Sequence, residues 1–228
     1  MSAATTLHAQ ASHEGTVSTP PASARPGLVM IGASTGGVQA LMAVLPQLPA
    51  GLPAAVVVVL HLPPDKPSLL VELFAPLCAL PVREPDDKET LQAGTIYMAP
   101  PNYHLMVEAD EAANAHFALS VDEAVNFSRP SIDVLFESAA AALPHWSLVG
   151  VVLSGASRDG ARGARGLALA GAQVWVQDPV SAEARMMPSA VASEVPGSRL
   201  LPLERMAPAL CRIFEVERAT RKHDEHGH

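Results

Sequence analysis

Leu28-Val29-Met30-Ile31-Gly32-Ala33-Ser34-Thr35-Gly36-Gly37 carries four consecutive apolar residues into a serine framed by glycines. Four apolar residues without polar alternation read as a strand buried on both faces. Gly32 permits a sharp exit from that strand, and Gly36 and Gly37 permit a tight turn into a helix-periodic segment over 38–48. A serine at the carboxyl end of a strand, facing a helix N-terminus, lies beside unpaired backbone N–H groups. Such groups stabilise an oxyanion or a phosphate, so the turn suits either a nucleophilic serine or a nucleotide loop.

The same alternation of apolar run and helical pattern recurs outward from this stretch. Strand-like residues 55–60, 148–153, 173–177 and 200–203 precede helical patterns over 67–77, 160–170, 188–194 and 205–217. Continuous apolar strands separated by helices predict an α/β fold, with a mainly parallel sheet flanked by helices on both faces. The middle differs. Residues 95–98, 104–108 and 116–121 are short and closely spaced, and read as an inserted antiparallel hairpin before a helix over 131–142. Ser131 suits the N-cap of that helix, with Asp133 in its first turn. Residues 1–26, rich in Ala, Ser, Thr and Pro, read as a disordered tail. The catalytic body is expected over 27–217, and 218–228 as a polar, His-containing tail.

The chain has 228 residues, of which 49% are hydrophobic, enough for one sizeable domain. A formal net charge of -8 argues against general nucleic-acid binding. The best candidate for a local basic cluster is Arg158, Arg162 and Arg165. Two cysteines, Cys78 and Cys211, imply no disulfide framework; buried core thiols in a reducing cytoplasm are expected. No apolar run approaches the ~20 residues of a membrane span, and the N-terminus has no signal-peptide pattern.

Sites in parallel α/β sheets form at the carboxyl ends of strands. Three residues fall there: Ser34, His61 after the second strand, and Asp159 in the loop after the strand over 148–153. Together they suit a nucleophile, a general base and an orienting carboxylate. Taken singly, each has a plainer reading: Ser34 as a helix N-cap, His61 bonded to a backbone carbonyl, Asp159 capping the helix after it. The order Ser, His, Asp disfavours an α/β-hydrolase, whose histidine comes last. A Rossmann site is disfavoured as well, because the glycine spacing is not G-x-G-x-x-G and His61, not an acid, closes the second strand.

The chain resembles the catalytic domain of CheB-type protein-glutamate methylesterases of bacterial chemotaxis. The resemblance rests on Ile31-Gly32-Ala33-Ser34-Thr35-Gly36-Gly37, His61-Leu62-Pro63-Pro64, Gly94 to Pro100, Asn102-Tyr103-His104, Arg129-Pro130-Ser131-Ile132-Asp133, Leu153-Ser154-Gly155, Asp159-Gly160 and Met187-Pro188, in that order. It implies a doubly wound, mainly parallel sheet with an antiparallel hairpin. It also implies Ser34 as nucleophile, His61 as base and Asp159 as orienting acid, with backbone N–H groups near Thr35 or Ala156 as oxyanion hole. The implied reaction is hydrolysis of γ-glutamyl methyl esters on chemoreceptor helices in the cytoplasm, with deamidation of glutamines in many members and no metal or organic cofactor. His104, Arg129 and Met187 are candidates either to line the cleft or to pack.

Three departures accompany the resemblance. Only some 27 residues precede the body, where family members typically carry a receiver domain, so regulation by a partner in trans is expected. The loop Ala156-Ser157-Arg158 places a charge beside Asp159. Gln177-Asp178-Pro179 resembles a stand-alone branch of the family, whose target is a chemoreceptor or another methylated signalling protein. Two alternatives stay open: a non-catalytic binding module of the same fold, and a serine hydrolase of small esters.

Overall fold

A computed structural model describes residues 25–62 and 68–225. Most of the expected N-terminal tail, the Pro63-Pro64 pair and residues 226–228 lie outside the described residues. Strand β1 (Gly27–Ala33) is buried throughout and pairs in parallel with β2 (Ala54–Leu60) on one side and β7 (Ser147–Val152) on the other. The sheet continues outward from β2 through β4 (Ile96–Met98) to β3 (Val82–Arg83), and from β7 through β8 (Gln173–Gln177) to β9 (Arg199–Leu201). All its pairings are parallel. Strands β5 (His104–Ala109) and β6 (Ala115–Ser120) form a separate antiparallel pair.

Successive residues of the inner strands go to opposite cores, which is why these strands read as unbroken apolar runs. Val29, Ile31, Val56 and Val58 pack with helix α1 (Gly37–Val44) and with Leu210 and Phe214 of helix α6 (Leu203–Glu225). Leu28, Met30, Val57 and Val59 pack with helices α3 (Ile132–Ala142), α4 (Ala161–Leu169) and α5 (Met186–Glu194) and with the hairpin. Helix α2 (Leu70–Phe74) covers the β3 end of the first core.

Several expectations shift. Residues 96–98 belong to the main sheet, not the hairpin: their side chains are buried, and Val56 to Val58 pair with them in parallel. Strand β3, two residues long, carries too little pattern to be visible in the sequence. Helix α2 is shorter than the 67–77 pattern, and the last helix continues to Glu225, eight residues past the expected end at 217. Cys78 and Cys211 are partly buried rather than fully so.

Both edge strands are short, and each carries an arginine laid over an aromatic ring of its inner neighbour. The Arg83 guanidinium lies 4.8 Å from the Tyr97 ring centroid, and that of Arg199 lies 5.4 Å from Trp175. Among the described residues no helix is long and apolar enough to cross a membrane.

Candidate active site

The three inner strands β1, β2 and β7 end side by side, and the chain switches direction across the sheet at β1. A crevice at the carboxyl ends of strands, at such a switch, is where ligands bind in open α/β sheets. Here it is a cleft of about 570 Å³, lined among others by Ser34, His61, Asn126, Ser128, Arg129 and Ala156.

Ser34 leaves β1 into a turn held from below. Its N–H donates to Ser154 O at 2.9 Å, and Gly37 N donates to Ser34 O at 2.7 Å. Gly36 takes a left-handed φ of 73° and is the N-cap of α1, so Ser34 is not that cap. Ser154 Oγ donates to Thr35 O at 2.7 Å and accepts from Ala184 N at 2.9 Å. The buried Gln177 accepts from Ser154 N at 2.8 Å. Two motif segments distant in sequence therefore brace the serine turn. The backbone N–H groups of Thr35 and Ala156 donate to no group among the described residues.

Asp159 is fully buried and does not cap the helix that follows it; Gly160 does. The carboxylate instead occupies the N-terminus of α3. Its Oδ2 accepts from Ile132 N at 2.6 Å, and its Oδ1 from Ser131 Oγ at 2.8 Å and Asp133 N at 3.3 Å. Ser131, as N-cap of α3, also accepts from Val134 N. Burial pushes the Asp159 carboxyl up, but hydrogen bonds from His61, Asn126, Ile132 N and Ser131 outweigh it and hold the group below the usual range.

His61 Nε2 donates to Asp159 Oδ2 at 2.9 Å. That bond fixes the tautomer, leaving Nδ1 as the acceptor nitrogen. Ser128 Oγ lies 3.3 Å from Nδ1. Among the described residues no hydrogen bond joins Ser34 to His61, although both line the cleft. The structure thus joins two of the three expected residues directly and brings the third to the same cavity.

Asn126 is the residue that sequence reasoning missed. Its Nδ2 donates to Asp159 Oδ1 and to Asp133 Oδ2, each at 2.8 Å, so one amide bridges two buried carboxylates. Asp133 also accepts from Gly163 N at 2.7 Å. Burial raises the Asp133 carboxyl despite these donors, and the negative charge of Asp159 adds to the effect. Asn126 lies in the segment 121–130, where no periodic pattern advertises a role.

That segment is anchored at both ends. Buried His104 accepts from Ser131 N at 3.2 Å through Nδ1 and donates to Glu123 O at 3.0 Å through Nε2. Arg129 donates to Val121 O at 2.7 Å, Asp122 O at 2.9 Å and Asn102 Oδ1 at 2.9 Å. Arg129 therefore lines the cleft, whereas His104 and Met187 pack; Met187 is fully buried against Gly155. Arg158 points outward and lies 3.5 Å from Glu194.

The fold and the site together define a parallel α/β domain with an open cleft at the carboxyl ends of its inner strands, into which Ser34 and a His61 held by Asp159 face. The description "CheB methylesterase" matches residues 29–210. A Leptospira interrogans protein provisionally described as a protein-glutamate methylesterase/protein-glutamine glutaminase is 38% identical over 185 residues, covering 81% of this chain and 93% of its own. A Maricaulis maris protein-glutamate methylesterase/protein-glutamine glutaminase is 35% identical, covering 85% of this chain and 48% of its own. The crystal structure of the Thermotoga maritima CheB methylesterase catalytic domain superposes with a TM-score of 0.78 at 30% identity, covering 82% of this chain and 98% of that one. The chain belongs to the CheB methylesterase family, whose members are carboxylic ester hydrolases.

Proposed function

We propose that this protein hydrolyses γ-glutamyl methyl esters on a methylated signalling protein, with Ser34 as nucleophile, His61 as general base and Asp159 as the carboxylate that orients it. The observation that carries this reading is the His61 to Asp159 hydrogen bond inside the cleft that also holds Ser34. In the reaction, Ser34 Oγ attacks the ester carbonyl as its proton passes to His61 Nδ1. The Thr35 and Ala156 N–H groups hold the resulting oxyanion; a donor of this kind supplies about 3 kcal/mol of transition-state stabilisation. The tetrahedral intermediate then expels the methoxy group, which takes the proton from His61 and leaves as methanol. Water attacks the acyl-enzyme with His61 again as base, and the glutamate carboxylate and free Ser34 result. Glutamine deamidation follows the same path with ammonia as leaving group. The substrate is a methylated chemoreceptor helix or a similar cytoplasmic signalling protein.

A second reading has one observation behind it: the hydroxyl bonded to the imidazole is that of Ser128, not Ser34. Ser34 is preferred because it stands directly after β1 and before α1, at the carboxyl end of an inner strand where open parallel sheets bind their ligands. Apo catalytic hydrogen bonds are often long or unmade and tighten only with substrate. Methanol release from a methyl-esterified chemoreceptor cytoplasmic domain, with the parent and Ser34→Ala side by side, tests the proposal. Ser34-dependent release supports it; equal release by both proteins overturns Ser34 as nucleophile.

A further inference from the structure

The turn at the cleft mouth holds a residue that the reaction above does not use. Val125 and Ser128 exchange both backbone hydrogen bonds, at 3.1 and 3.0 Å, so Asn126 and Phe127 are the central pair of a two-residue hairpin. Both have positive φ, 51° and 61°. This is the type I′ geometry, which favours Asn at its first position and Gly at its second. A bulky aromatic with positive φ is an outlier. Phe127 gains no packing in return: its side chain is fully exposed, more so than any other large apolar residue among those described. It lines the mouth of the cleft that holds Ser34 and His61.

The strain is held in place by its neighbours. Asn126 is bonded to Asp159 and Asp133, Ser128 contacts His61, and Arg129 is fixed by three hydrogen bonds. An aromatic ring is thus presented to solvent on a rigid base, against its backbone preference and one residue before the serine that contacts His61 Nδ1. Two further exposed apolar residues, Val121 and Tyr103, belong to the segments that Arg129 ties to the same rim. Strained residues persist where surrounding structure over-determines them, and they cluster at ligand clamps. A rigid exposed aromatic is also the kind of side chain that anchors protein contacts.

We propose that Phe127 is a substrate-contacting specificity residue, docking against an apolar side chain next to the esterified glutamate of the protein substrate. This rests on the ester-hydrolase reading above. Phe127→Gly and Phe127→Asn both suit the left-handed backbone and remove the ring. With a methyl-esterified chemoreceptor cytoplasmic domain, both variants raise KM about tenfold, the loss typical of an aromatic anchor, while kcat falls no more than about twofold. Their thermal midpoints stay level with the parent or rise, because the backbone strain is relieved. Unchanged KM in both variants, with the parent turning over, overturns the proposal and leaves the enzyme reading standing. A raised KM accompanied by a lowered midpoint also overturns it, since that marks a structural role. No methanol release by the parent overturns the enzyme reading and this inference with it.

Discussion

Ser128 contacts the His61 imidazole and Ser34 lines the same cleft, and the two serines separate on substitution. Ser34→Ala lowers kcat on the order of 10⁴-fold or more, since residues acting as a unit fail together. Ser128→Ala leaves kcat within about threefold, the size of one weak hydrogen bond; methanol release measures both. Asn126 separates from them in turn. Asn126→Gly keeps the left-handed backbone but deletes the amide that bridges Asp159 and Asp133. Hydrogen bonds to charged groups carry ~1.5–3 kcal/mol, so kcat falls about tenfold or more, with far-UV circular dichroism unchanged. Ser34 and His61 are legible as candidates because each directly follows an apolar strand, and Asp159 because it stands in the loop between β7 and α4. Asn126 and Ser128 were not, because they reach the site from an irregular segment whose position depends on Arg129 and His104 rather than on any local pattern.

At the level of elements, the Asp159 carboxylate belongs to two helices at once. It precedes α4 in sequence, yet it is held by the N-terminus of α3, where backbone N–H groups and the helix dipole favour a negative charge. The position of α3 against β1 therefore sets the position of the acid. Gly32 of β1 makes that approach possible: a Cβ there would come within 2.6 to 2.8 Å of three Ile132 side-chain atoms. Ile132 is fully buried and its N–H grips Asp159. Gly32→Ala accordingly destabilises the fold by about 1–3 kcal/mol, as overpacking does, and lowers kcat as well; urea unfolding and methanol release read the two losses. Sequence pattern captured both helices and the Ser131 cap, because those signals are local. It did not reveal which helix Asp159 serves, since Asp159-Gly160 looks like an N-cap by itself. Nor did it place 96–98, where three apolar residues carry no hint of parallel or antiparallel partners.

Across the whole molecule, the buried carboxylates give stability a pH dependence with a definite sign. Asp159 ionises more readily in the folded protein than in the unfolded chain. Its contribution is complete above the unfolded value of about 4 and is lost as pH falls through the folded value. Asp133 is raised and acts oppositely, its ionisation costing stability as pH climbs through its folded value. Urea midpoints of the parent and Asp159→Asn, taken from pH 7 downward, check the first effect: the parent's advantage shrinks once pH drops below about 4. The sheet itself has a consequence for behaviour at high concentration. Its two margins are the places where a neighbouring chain would add a strand and begin a fibre. One margin is two residues long and the other three, and a cation clamped on an aromatic ring stands at each. Borders this short, each with a charged side chain laid over a ring, offer another copy little backbone on which to build a stack.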